Sequence, residues 1–175
     1  MGAKLLERLQ IQPVMAPVDL NDGATTGAYV SLKNYESCLC VLVCGDGTAG
    51  NDLSISMYQA TAVAGTGAKV LNCLETGRIY VKTAGTWALV AAIGQWTEET
   101  QATADETYTD TDSGEEVQIW AFEVKASDLD VTNGFDCIRM DIADPGAAKL
   151  GAALYILGDP VTEIDPPLMP SAIAD

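Results

Sequence analysis

The chain has 175 residues, of which 25 are acidic, 9 basic and none histidine, for a formal net charge of −16. Without histidine, the usual neutral-pH general base and the commonest metal ligand are both missing. An acidic excess of this size repels nucleic-acid phosphates. The charge is also lopsided, since residues 1–97 hold 7 acids and 6 bases while residues 98–175 hold 18 acids and 3 bases. Such an imbalance concerns which surface meets water and which meets a partner, so the composition favours a structural or binding protein over an enzyme.

With 48% apolar residues, the chain is long enough to bury the core of one domain. No apolar run reaches the roughly 18–20 residues of a membrane-spanning helix. Glu7, Arg8 and Gln10 interrupt any apolar leader core near the start. The five cysteines, Cys38, Cys40, Cys44, Cys73 and Cys137, are odd in number and follow no disulfide pattern. They are expected as reduced thiols of a protein made in a cytoplasm.

In chain order, Leu5, Leu6 and Leu9 space one or two amphipathic helical turns. Pro13 and Pro17 then stop any helix, so residues 1–27 are predicted as an extended N-terminal arm. Strands are predicted near 28–34, 37–45, 53–60, 69–74, 78–82, 86–92, 117–124, 135–142 and 152–158. Leu53-Ser-Ile55-Ser-Met57 alternates apolar and polar side chains, the period of a half-buried strand. Val117 to Val124 is more broadly apolar, as in a strand buried on both faces. Gly45-Asp-Gly47, Gly65-Thr-Gly67 and Asn133-Gly134 supply turn residues between the runs.

After the N-terminal turns, helix is expected only at 127–129 and at 144–149, where Asp144 stands at an N-cap position and Pro145 at the first helical one. Residues 98–116 hold eight acids and no base, which predicts a solvated loop or insertion. Residues 159–175 hold four prolines and read as an extended C-terminal tail. The fold class that follows is all-β: an antiparallel β-sandwich or jelly-roll-like domain over 28–158, with the arm before it and the Pro-rich tail after it.

No residue set marks a catalytic, cofactor or metal site. Cys38, Cys40 and Cys44 share a parity, so a strand puts them on one face. Without a C-x-x-C pair or a histidine they read as apolar core rather than zinc ligands. Asp110-Thr-Asp112-Ser-Gly114-Glu115-Glu116 has its glycine one residue early for an EF-hand, and Ala121 stands at the twelfth position. Carboxylates are too abundant for any pair to stand out as a hydrolytic dyad. The glycine-rich stretches 45–50 and 65–69 match no phosphate-binding pattern. Trp87, Trp96 and Trp120 offer a sugar platform only if several share an exposed face, and Trp120 in an apolar strand reads as core.

Several stretches together resemble a family of small tailed-bacteriophage virion proteins. They are Val18-Asp-Leu-Asn21, Gly27-Ala-Tyr29-Val-Ser-Leu-Lys33, Ser54-Ile-Ser-Met-Tyr58-Gln59-Ala60, Phe122-Glu-Val-Lys-Ala126-Ser-Asp128-Leu-Asp130 and Ala148-Lys-Leu-Gly151-Ala-Ala-Leu-Tyr155. The likeness covers about residues 18–158. It implies a capsid decoration (cement) protein: a β-sandwich, commonly a homotrimer, made in the host cytoplasm. Such a protein binds the major capsid protein on the exterior of the head and stabilises capsomer junctions. It needs no cofactor, metal, membrane or direct nucleic-acid contact. A tail or head–tail connection protein that reaches a neighbour through 98–116 is the alternative, followed by a carbohydrate- or calcium-binding module. The arm 1–27 and the tail 159–175 are the expected contact elements, with the near-neutral half of the chain turned to the partner and 98–116 to solvent.

Overall fold

The computed structural model describes residues 4–23, 25–83, 94–111, 116–161, 169 and 171–174. Twelve strands run through them in chain order: β1 (Leu9–Asp19), β2 (Thr25–Thr26), β3 (Val30–Ser31), β4 (Tyr35–Cys44), β5 (Leu53–Ala60), β6 (Lys69–Val70), β7 (Ile79–Thr83), β8 (Thr97–Glu98), β9 (Thr107–Asp110), β10 (Gln118–Lys125), β11 (Cys137–Ile142) and β12 (Leu150–Pro160). The first sheet has the order β1-β12-β4-β10-β7-β8. The second has the order β2-β11-β5-β6, with β3 also on β11 and β9 also on β5. Every pairing is antiparallel. This is the all-β sandwich that the strand periodicity predicts.

The inner faces follow from alternation. Cys38, Cys40, Leu42 and Cys44 of β4, Trp120 and Phe122 of β10, and Tyr155 and Leu157 of β12 point inward from the first sheet and are fully buried. Leu53, Ile55 and Met57 of β5, with Ile138, Met140 and Ile142 of β11, meet them from the second. Tyr108, Trp120 and Phe122 stack in sequence at ring-centroid distances of 5.6 and 5.8 Å. Burial of side chains of this size stabilises by about 1.5–3 kcal/mol each, before chain entropy is set against it.

Several expectations change in the fold. The segment read as a free arm is extended, but its residues 9–19 form the edge strand of the first sheet, paired with β12 from Leu9↔Gly158 to Asp19↔Leu150. Proline lacks an N–H, which an edge strand tolerates because one side of it has no ladder to complete. Pro13 sits beside one register shift of β1, and a second follows between Met15 and Val18. Val14 and Leu20 are buried, so this segment contributes to the chain's own core. In place of the amphipathic helix there is a single 3-10 turn at Leu5–Glu7.

The acidic stretch 98–116 is not all solvated loop. Thr107–Asp110 pairs with β5 from Leu53↔Asp110 to Ser56↔Thr107, and Tyr108 is buried against Trp120. Threonine and tyrosine favour a pleated, half-buried strand, and here that preference outweighs the flanking charge. Residues 112–115 lie outside the described residues, as do the strand expected at 86–92 and Trp87.

The turn expected to be helical at 144–149 is irregular. Gly146 has a φ of +80° and donates its N–H to the Asp144 carboxylate at 2.7 Å, a local turn that competes with helix. The strand expected to end at 158 runs to Pro160. Of the tail, Ala172 is buried and its carbonyl accepts the Ser31 N–H at 2.7 Å.

Candidate functional site

The two sheets differ on their outer faces, and this difference is the strongest functional signal in the molecule. In an antiparallel sheet packed on one side, alternation normally leaves polar residues on the other. The second sheet obeys this rule. Its outward positions include Ser54, Ser56 and Tyr58 of β5, Thr107 and Thr109 of β9, and Arg139 and Asp141 of β11. Many of these side chains pair with one another: Ser56 and Thr107 hydroxyls lie 2.8 Å apart, Thr109 Oγ1 donates to Ser54 Oγ at 2.9 Å, and Arg139 pairs with Asp141 at 2.7 Å, while the buried Arg139 Nε has no hydrogen-bond partner. The Arg139 guanidinium lies over the Tyr29 and Tyr58 rings, 4.9 and 4.6 Å from their centroids.

The first sheet breaks the rule. Register places Ile11, Ile156 and Leu39 side by side in one outward row, followed by Glu123. The next row reads Pro13, Leu154, Val41, Ala121, Tyr80 and Glu98. The third reads Ala152, Val43, Ile119 and Lys82. Leu39, Val43 and Leu154 are 37%, 37% and 42% exposed although they sit on inner strands of the sheet, and Ile11 of the edge strand is 47% exposed. Leu150, at one end, is 60% exposed, and Trp96 at the β8 edge is 46% exposed under the Lys82 ammonium at 4.7 Å. At the opposite end Leu5, Leu9, Leu39 and Ile156 line a groove of about 460 Å³.

An exposed apolar face of this kind stands out on a chain with a net charge of −16, because surfaces that meet only water seldom carry one. It draws on both halves of the chain: β1, β4 and β7 come from the near-neutral half, while β10 and β12 come from the acid-rich half. The two halves of the sequence are interleaved in this sheet, so the charge difference between them does not separate into two faces.

The chemistry-bearing residues singled out by the sequence are dispersed or buried. All five cysteines are free and buried. Cys38, Cys40 and Cys44 do share the inner face of β4. Burial pushes the Cys44 thiol up to about 11, against a partial offset from Lys149, and pushes Cys73 up to about 12. Burial thus disfavours the thiolate, the form a cysteine nucleophile needs, at neutral pH.

Asp110 is buried and accepts Gln118 Nε2 at 2.8 Å, and the Cys44 thiol lies 3.7 Å from Gln118 Oε1. Lys149, 1% exposed, donates from Nζ to the Glu116 carbonyl at 3.2 Å, and its backbone ties Asp19 and Leu20 to the end of β12. This cluster fastens the acidic stretch and the N-terminal strand to the sandwich. Trp120 is core and Trp96 alone of the described tryptophans reaches the surface, so the described residues form no sugar platform. Among the described residues no group of three or more His, Cys, Asp or Glu side chains is placed to hold a metal ion. No helix among them is long and apolar enough to cross a membrane.

The chain is thus an antiparallel β-sandwich with one polar and one apolar outer face. No family model and no curated protein matches it. Among solved structures it is similar to the subunit of Bacillus endospore appendages, described as disulfide-linked pili, at 13% identity over 86% of this chain and 88% of that one, with a TM-score of 0.35. It is similar to a Broad Bean Stain Virus chain at 10% identity, covering 96% of this chain and 93% of that one, with a TM-score of 0.27. An infectious bursal disease virus chain aligns at 12% identity over 94% of this chain and 44% of that one, with a TM-score of 0.26. These overlays are distant, and the chain's own surfaces say more about its role.

Proposed function

We propose that the chain is a non-catalytic structural subunit of a virion, a capsid decoration protein that binds the major capsid protein on the exterior of a bacteriophage head. The observation that carries the structural part is the apolar outer face of the first sheet, set against the hydrogen-bonded polar face of the second. A domain in which one outer face is finished for water and the other is not is a subunit awaiting a neighbour. The decoration role itself comes from the sequence resemblance, and the acidic remainder of the surface suits a protein that must stay soluble at high copy number.

The tail or head–tail reading depended on 98–116 as a reaching loop. Thr107–Asp110 is instead fixed on β5, which removes that support from the described part of the segment.

The test is the copy number of the chain in purified particles by quantitative mass spectrometry. A decoration protein is present at a fixed, near-stoichiometric ratio to the major capsid protein. A ratio of only a few copies per particle, or absence from particles, overturns the reading.

A further inference from the structure

We propose that Asn133–Gly134 is a self-modification site: the Asp130 carboxylate keeps it closed in the folded chain, and it converts to aspartate and isoaspartate once that clamp opens. It is the sole Asn-Gly pair of the sequence. Glycine has no side chain to crowd the attack of its own nitrogen on the preceding carboxamide. The pair also lies at the surface, where both residues are exposed and a Cβ at Gly134 would meet no atom within 4 Å. This chemistry belongs to the chain itself, apart from any role in a virion.

The reaction needs only water. The Gly134 nitrogen gives its proton to solvent and attacks Asn133 Cγ. The N–Cγ bond forms, the Cγ–Nδ2 bond breaks, and the leaving nitrogen takes a proton from solvent to depart as ammonia. Water then opens the succinimide ring at either carbonyl. Cleavage at Cγ leaves aspartate, and cleavage at the main-chain carbonyl leaves isoaspartate. The net change is ammonia lost and water gained, with nothing oxidised or reduced.

The fold withholds each requirement of that attack. Val131–Asn133 form a 3-10 turn that ends on Gly134 in the left-handed region, at a φ of 81°. The Gly134 N–H donates to the Val131 carbonyl at 3.0 Å, so the attacking nitrogen is engaged. Ring closure needs the ψ of Asn133 turned out of the helical range, which would break this turn. The carboxamide is held as well, since Asn133 Nδ2 donates to both Asp130 carboxylate oxygens, each at 2.9 Å. A carboxylate so close also opposes the negative charge that must form on the Gly134 nitrogen.

Asp130 is itself fixed from several sides. The Lys69 ammonium pairs with its carboxylate at 2.5 Å and rests over the Phe135 ring, 4.1 Å from the centroid. The Asp130 N–H donates to Gln59 Oε1 at 2.9 Å, and its carbonyl accepts the Asn133 and Phe135 N–H groups at 3.0 and 3.2 Å. Hydrogen bonds from Lys69 and Asn133 hold its carboxyl below the usual carboxylate range, so the clamp stays charged at neutral pH. Conversion runs one way. A new carboxylate at 133 sets two like charges where a hydrogen bond had been, and isoaspartate also lengthens the backbone by a methylene.

The test is peptide mapping by mass spectrometry of the purified full chain, held at mildly alkaline pH with and without guanidinium chloride. Asn133 is expected to convert at least about tenfold more slowly in the folded chain than in the unfolded one. Asp130→Ala is expected to raise the folded rate by about ten- to hundredfold with an unchanged far-UV spectrum, the worth of hydrogen bonds to a charged group. Lys69→Ala, which leaves Asp130 in place, is expected to raise it by about two- to fivefold, and it decides the matter if Asp130→Ala does not fold. An Asn133 that stays intact in the unfolded chain, or that converts equally fast folded and unfolded, overturns the proposal. So does a folded Asp130→Ala chain, or failing that a Lys69→Ala chain, that keeps the wild-type rate.

Discussion

The hydroxyl of Tyr155, on β12 of the first sheet, accepts the backbone N–H of Met140, on β11 of the second, at 2.8 Å and donates to the Ala28 carbonyl at 3.0 Å. It spans the core and ties the two layers together with one buried group, whose ionisation burial pushes well above the usual tyrosine range. Tyr155→Phe strands both backbone partners without water. A loss of about 1–3 kcal/mol is expected, read as a lower urea midpoint with unchanged slope.

Gly27, next to β2, lies close against β11 of its own sheet and Val14 of the first. A Cβ at this position would stand 2.2 Å from the Met140 carbonyl oxygen and 2.7 Å from a methyl group of Val14, and the Gly27 N–H is already held by Asp141 at 3.0 Å. Backbone cannot yield as a flexible side chain can, so Gly27→Ala is expected to destabilise by about 2 kcal/mol or more, seen as a lower melting temperature.

Removal of residues 1–20 tests the assignment of β1. Read as a free arm, this segment would leave an intact sandwich when deleted. In the structure the deletion removes Val14 and Leu20 from the core and bares the β12 edge. Two such side chains are worth about 3–6 kcal/mol, a large share of a typical domain's stability of about 5–15 kcal/mol. The truncated chain is expected to melt far below the full one or to aggregate through the exposed edge. A truncated chain that melts as the full one does would return 1–20 to the role of an arm.

The buried thiols give the stability its alkaline limit. Cys44 and Cys73 have folded values of about 11 and 12 against an ordinary value of 9.0. A raised thiol value favours the fold as long as both states are protonated, below about pH 9. The unfolded chain releases its protons first, so the advantage disappears as the pH rises from about 9 toward 11 and 12. For Cys44 this is on the order of 3 kcal/mol. Unfolding free energy measured in urea should fall steeply over that window, and Cys44→Ala with Cys73→Ala should flatten the fall. At neutral pH a thiol reagent should find the five cysteines unreactive until the chain is denatured.

Much of the fold was legible because it rests on alternation. β5 matches its predicted span of 53–60, and β4, β7, β10, β11 and β12 lie within two residues of theirs. The failures have separate physical causes. Pro13 and Pro17 argue against a central strand, but an edge strand needs only half its donors. The acids around Thr107-Tyr108-Thr109 hid a short strand with good β-formers.

The assembly face was half legible. Cys38-Leu39-Cys40-Val41-Leu42-Val43-Cys44 is apolar at both parities, which the sequence alone cannot distinguish from a strand buried on both sides. Only the register, which aligns Leu39, Val41 and Val43 with Ile156, Leu154 and Ala152, shows that one of those faces turns away from the core among the described residues.

A cryo-EM reconstruction of the particle that carries the chain tests the role of that face most directly. Protein density is expected to pack against Leu39, Val43 and Leu154, with Ser54, Tyr58 and the rest of the second sheet's outer face open to solvent. Copies anchored through the second sheet, with Leu39, Val43 and Leu154 facing water, would contradict it.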